Sequence, residues 1–331
     1  MSLTVRPLRP GDLAEAEAVA AVRRATVPYL VCTAAGLLWE AEHAPPDRRL
    51  RWLVAVRADG SVAGCADTGL LAGGAGPVQG FLHTAVPAHA AGEGAGTALV
   101  AAGEAYLAGL GARRVHSWVA DEERAQHFAE RAGYTRSRQA RFLGLDLRRA
   151  ALPALPATLP EGVTIGSAAD FADDWRPLHE ADTECAADEP GDVEVEPAPY
   201  EEWLPLNWGR PDWDAALSGV VLVHGQVAAY SVAQTDGLDR YWSGMTGTRR
   251  AFRGRGLARL AKLAALRRAR DAGYVHAHTG NDATNAPMLA VNRRLGYRVV
   301  ASEWRYVTTL GTAPAKTAAP ATPSPGPAAP R

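Results

Sequence analysis

The stretch of this sequence best equipped for chemistry is Arg253-Gly-Arg-Gly-Leu-Ala258. Glycines at 254 and 256 let the backbone approach a ligand closely, and a helix opening at Leu257 leaves its first amide groups unpaired. Amides converging at the positive end of a helix dipole form a cradle for phosphate or pyrophosphate. From Arg249 to Arg270 there are nine basic residues and no acid, so the field around the cradle attracts anions. A Walker A loop requires Gly-Lys-Ser/Thr here, and a dinucleotide fingerprint requires a third glycine where Arg259 stands; neither is present.

The neighbouring residues predict elements that hold the loop in place. Arg240–Thr248 reads as the strand feeding it, after a hairpin of Gly219–His224 and Gln226–Val232. Leu257–Ala272 is composed of strong helix formers and is closed by Gly273. Val275–Thr279 is the next strand. Asn285 then caps a helix over Ala286–Leu295 that stops at Gly296, and Tyr297–Ala301 and Trp304–Leu310 follow as strands.

The same grammar occurs earlier in the chain. Gly92-Glu-Gly94-Ala-Gly96 precedes Gly254-Arg-Gly256-Leu-Ala258 by 162 positions, Gly111 precedes Gly273 by 162, and Ala132-Gly-Tyr134 precedes Leu295-Gly-Tyr297 by 163. Landmarks in one order at a nearly constant offset mark two copies of one domain, at 1–150 and 161–310. In the first, Val78–Val86, Thr97–Leu110, Val115–Val119 and Glu122–Ala132 are the corresponding strand, helix, strand and helix. A proline-rich linker covers 151–160, and 311–331, with six prolines and no aromatic residue, reads as a disordered tail.

Composition limits the function classes. The 331 residues are 47% hydrophobic and carry a formal net charge of −1, so nothing global points to nucleic acid or a membrane surface as partner. Three dispersed cysteines argue against disulfides or a cysteine metal site, and no apolar run is long enough for a membrane span. His276-x-His278 lacks a third ligand, so no metal is expected. A soluble, cytoplasmic protein of mixed α/β architecture is the expectation.

Arg253-x-x-Gly-x-Ala258, preceded by Thr246-Gly-Thr248 and followed by Asn281-x-x-x-Asn285, Met288 and Leu295-Gly-Tyr297, resembles the acyl-CoA motif of the GNAT N-acetyltransferases. The two copies resemble the tandem arrangement of mycothiol synthases and related bacterial enzymes. The resemblance implies two tandem GNAT-like domains, each a central, mixed, mostly antiparallel sheet flanked by helices. It implies acetyl-CoA in a gap between the fourth and fifth strands of the second copy. There Met245, Thr246, Gly247 and Thr248 would pair with the pantetheine arm, Arg253, Gly254, Arg255, Gly256, Leu257 and Ala258 would hold the pyrophosphate, and Asn281, Asn285 and Met288 would flank the cofactor. The reaction implied is direct transfer of acetyl to a neutral primary amine, with a general base to deprotonate it.

This sequence departs from that pattern at three places. Ala91 and Glu93 occupy the first copy's loop, which is expected to weaken it as a binder. Asn292 stands where many members have a tyrosine that protonates the leaving thiolate, and Arg240–Thr246 lacks the strand carboxylate of mycothiol synthase. Against this, 168–214 holds fifteen acids and two arginines, an acidic wall suited to a small cationic amine, with Asp188 and Glu189 (and Glu184) as candidate bases. A protein or peptide amine is the alternative acceptor. A non-catalytic acyl-CoA-binding or regulatory module is the alternative function.

Overall fold

The computed structural model describes residues 3–71, 77–190 and 198–311. The first copy comprises β1 (Leu3–Pro7), α1 (Leu13–Thr26), α2 (Ala34–His43), β2 (Arg51–Arg57), β3 (Val62–Leu70), β4 (Gln79–Ala85), α3 (Ala95–Gly109), β5 (Arg114–Ala120), α4 (Glu123–Arg131) and β6 (Thr135–Asp146). The second comprises β7 (Val163–Ser167), α5 (Arg176–Ala186), α6 (Tyr200–Asn207), β8 (Gly219–Val223), β9 (Gln226–Thr235), β10 (Arg240–Thr248), α7 (Leu257–Asp271), β11 (His276–Asp282), α8 (Ala286–Arg294) and β12 (Arg298–Thr309). Between them, 151–160 holds neither helix nor strand, and the tail from 312 lies outside the described residues.

Side-chain alternation assigns the helices to faces. On β2, Trp52 and Val54 pack with α1 and α2, whereas Leu53 and Ala55 pack with α3. In the second copy Val220 and Val232 meet α5 and α6, and Val221 and Ala228 meet α7. Local chemistry sets the helix starts: Asp12, Thr33 and Asn285 each accept a hydrogen bond from a first-turn amide.

The strands join into one twelve-stranded sheet in the order β1-β2-β3-β4-β5-β12-β6-β11-β10-β9-β8-β7. The two copies therefore exchange their last strands. β12 runs antiparallel between β5 and β6, while β6 pairs with β11 from His276↔Asp146 to Asp282↔Ala140. The cores follow the exchange: Tyr306 of β12, fully buried, belongs with Leu99 and Leu107 of α3, and Leu143 of β6 belongs with Leu263 and Leu266 of α7. The last two strands expected in the sequence, Tyr297–Ala301 and Trp304–Leu310, are one strand. Its register shifts between Val299 and Ala301 and again between Trp304 and Tyr306, and these irregularities break the alternation that a sequence pattern would show.

Candidate active site

β10 and β11 run parallel for three rungs, Arg240↔His276 to Trp242↔His278, and then part. Thr279, one residue past the last rung, donates its hydroxyl to Ser243 O across 3.0 Å, so a side chain closes the vertex of the gap. Above it, Gly244 and Met245 together face Val232, because Ser243 pairs with Ala233 and Thr246 with Ser231. That bulge leaves backbone of β10 outside the regular ladder on the strand that borders the opening. The first copy has the same splay, with pairing of β4 and β5 ending at Phe81↔His116, but no register shift between β3 and β4.

At the mouth of the gap, Gly254 and Gly256 take left-handed φ angles of 77° and 75°. Gly256 is the N-cap of α7 and has no side chain to cap it, so the first-turn amides face outward beside exposed Arg255. Arg253 donates through Nε to Thr248 O, 3.1 Å away, folding the loop back on β10. Met245–Thr248 and Arg253–Ala258 thus frame one opening. Gly247 is needed for a different reason: a Cβ there would lie 2.6 Å from Cys185 Sγ on α5.

Asp188 faces the basic loop. Its carboxylate receives Arg250 Nε and Nη2 at 2.9 and 2.8 Å and is also paired with Arg253. These arginines hold its carboxyl well below the usual carboxylate range, which makes it a poor proton acceptor. Asp188, one of the expected general bases, clamps the basic loop in this geometry. Glu184 does the same one turn earlier, accepting from Arg249 Nε at 2.8 Å and from the Arg250 backbone. Glu189 is accessible to solvent, yet its crowded setting pushes its carboxyl upward; Arg138 opposes that rise, and Asp182 and Asp282 reinforce it. Asp182 is occupied by Trp203 Nε1 at 2.8 Å and the Tyr230 hydroxyl at 2.6 Å.

Asn292 is fully buried and donates to Asn281 Oδ1 at 2.7 Å, while its own Oδ1 has no partner among the described residues. Asn285 spends its Oδ1 on Met288 N, 3.2 Å away, as the cap of α8. Sequence reasoning missed Lys262. This residue of α7 is 1% exposed, donates to Thr279 Oγ1 at 3.2 Å, and lies 5.2 Å from the centroid of the Tyr297 ring. Its signal was available, since it is one of only two lysines beside 33 arginines in a total of 35 basic residues, and it falls on the Ala258/Ala265/Ala269 side of the helix.

The first copy's loop also keeps left-handed glycines, Gly92 and Gly94, both at φ 88°. Glu93 is tied to Arg57 of β2 by bonds of 2.7 and 3.0 Å, and Phe128 packs 3.2 Å from where a Cβ of Gly96 would sit. Beneath lies an apolar cavity of about 40 Å³ lined by Leu82, Val100, Phe128 and Ala129 among others. On the opposite face stand groups that no sequence motif marked. His83 Nδ1 lies 2.9 Å from Asp67, Arg23 is 3.3 Å from the same carboxylate, and the Tyr29 hydroxyl is 2.6 Å from Glu303 of β12.

The model of the acetyltransferase (GNAT) family matches residues 21–134 and 175–297. The chain belongs to that family. As a tandem GNAT protein it resembles, over 94% of its length and 99% of the other chain, a tandem GNAT protein from the clavulanic acid biosynthesis pathway, at 22% identity and a TM-score of 0.74. A GCN5-related N-acetyltransferase from Sphaerobacter thermophilus superposes with a TM-score of 0.65 at 23% identity, covering 93% of this chain and 95% of that one. No curated protein matches the chain. The GNAT family carries out acyl transfer, and among the described residues no helix of this member is long and apolar enough to cross a membrane.

Proposed function

We propose that the second copy transfers acetyl from acetyl-CoA to the primary amine of a small, cationic molecule by direct attack. The observation that carries this reading is the splay of β10 from β11 beside an uncapped, arginine-flanked start of α7. The opening offers what a pyrophosphate needs: amides of Arg255 to Ala258 and positive charge from Arg253 and Arg255. The gap offers what an extended amide arm needs, the free edge of β10 at Met245–Thr248. Acetyl-CoA supplies the activated thioester. Around it, the bulged β10 backbone is suited to stabilise a developing oxyanion. Of the three candidate bases, Glu184 and Asp188 have their own hydrogen-bond partners, which leaves Glu189 as the base this reading assigns. A raised carboxyl pKa favours that role, because proton transfer is most effective when the base titrates nearer the working pH.

One observation favours a second reading, a non-catalytic acyl-CoA-binding module: Asn292 is buried against Asn281 and offers no exchangeable acid to a thiolate. Incubation with acetyl-CoA and a panel of small amines, diamines and peptides, with detection of free thiol, separates the two. Thiol release that saturates with a small cationic amine supports the first reading. Saturable binding of CoA with no release on any acceptor supports the second.

A further inference from the structure

Lys262 is costly where it stands. Among the described residues no carboxylate pairs with it, and burial lowers its pKa to about 7. The hydroxyls around the vertex, Tyr241 and Tyr297, are pushed upward by burial and stay neutral. A chain that uses arginine for nearly every positive charge keeps a lysine here. The two differ in one decisive way: a buried lysine gives up its proton readily, and an arginine does not.

The position matters as much as the residue. Thr279 and Asn281 are two apart on β11 and share a face of the strand. Lys262 holds the first and Asn292 holds the second, so the amine and the asparagine pair stand side by side along the wall of the gap. In the first copy the loop-glycine offset places Val100 where Lys262 stands, and Val100 lines an apolar cavity.

We propose that Lys262 is the proton source for the departing CoA thiolate, acting through the Thr279 hydroxyl in place of the acid that Asn292 does not supply. The amine nitrogen bonds to the acetyl carbon and the carbon–sulfur bond breaks, its electron pair leaving on sulfur. The Thr279 hydroxyl proton leaves its bond to Ser243 O and passes to sulfur, and Thr279 Oγ1 takes one from the Lys262 ammonium. The proton shed by the acylated amine passes through the base to solvent, from which Lys262 recovers its own. The net products are the amide and neutral CoA thiol. This inference rests on the reading that the second copy binds CoA.

With two lysines in the chain, selective carbon labelling of the lysine ε position gives two signals to follow by NMR. The Lys262 signal, identified by its loss in Lys262→Met, is expected to titrate near pH 7. Bound CoA should move that midpoint by placing its sulfur beside Thr279, whereas desulfo-CoA should leave it unchanged. In steady state, Lys262→Met should lower kcat by about 10²-fold, with little change in the KM for acetyl-CoA, and should remove the alkaline limb of the pH profile. Thermal melting verifies that this variant is folded. If calorimetry shows no CoA binding to the second copy, with wild type matching Gly256→Trp, the site reading fails and the inference falls with it. If CoA binds but the Lys262 signal responds identically to desulfo-CoA, the inference is overturned while the site reading stands.

Discussion

Asn292 on α8 reaches Asn281 on β11 with a 2.7 Å hydrogen bond, so two amides occupy the wall of the gap where many family members carry a phenol. Replacing Asn292 by Ala leaves Asn281 Oδ1 without its donor and opens space in a fully buried site. A loss of about 1–3 kcal/mol of stability is expected by denaturant titration. Thiol release should change far less than in the Lys262 variant. A larger drop for Asn292→Ala would show that the asparagine pair, and not Lys262, carries the departure of the thiolate.

Asp188→Asn tests the reassignment of that carboxylate. Its partners Arg250 and Arg253 are 60% and 47% exposed, so solvent screens the pair and the melting temperature should change little. The acid limb of the pH–rate profile should stay where it is, because Asp188 is not the group that loses a proton. Glu189→Gln, in contrast, should lower kcat by about 10²-fold or more. The reverse ranking would restore Asp188 as base.

The loop glycines give a graded experiment. A Cβ at Gly256 meets nothing within 4 Å, so Gly256→Ala has only the left-handed backbone to oppose, about 1–2 kcal/mol. Gly256→Trp fills the mouth of the cradle and should abolish acetyl-CoA binding measured by calorimetry. Gly94→Trp asks the same of the first copy; unchanged binding stoichiometry there would mean that only the second copy takes the ligand.

Lys262 also makes a prediction about stability and pH. Its folded pKa is about 7, against 10.5 for a lysine in water, so between these values the unfolded chain binds more protons than the folded one. Stability from this group therefore rises with pH across that window, and the penalty is fully present below pH 7. Lys262→Met should stabilise the protein by about 1–4 kcal/mol at neutral pH and flatten the slope. Urea melts at several pH values give both numbers; an unchanged slope would show that the amine is not buried as described.

The strand exchange is tested by a substitution in one copy that unfolds the other. Tyr306 lies in the second copy's sequence but in the first copy's core, with its hydroxyl 3.2 Å from Glu130 of α4. Tyr306→Ala should cost about 3–5 kcal/mol, and the earliest loss of hydrogen-exchange protection should come in α3 and β5. Residues 1–150 expressed alone should fail to give a cooperative melt.

Much of the second copy was legible because its signals are local. Gly273 and Gly296 stop helices, Asn285 starts one, and Gly254 and Gly256 turn a loop, each through its own backbone preference. β10 matches its expected bounds, Arg240–Thr248. The exchange of β6 and β12 was illegible, because Tyr306 carries the same hydrophobic pattern whichever copy's helix covers it. The partners of Asp188 were illegible for a related reason: the sequence shows a carboxylate in an acidic run but not the arginines 62 and 65 positions away that pair with it. Lys262 reads as one more cation on a basic helix until the sheet beneath it is in place.

The exchange also sets an order of events in time. β5 is made early, yet the strand that covers its edge is the last of the twelve, about 180 residues behind it. At synthesis rates of roughly 5–20 residues per second, that edge waits some 10–40 seconds for its partner. Through that interval the nascent chain carries an open strand edge beside a half-built apolar core, which is the condition in which polypeptides self-associate. The fold thus ties the birth of a finished molecule to the arrival of its final strand, and a ribosome that stalls late in the message would release a chain with both halves incomplete.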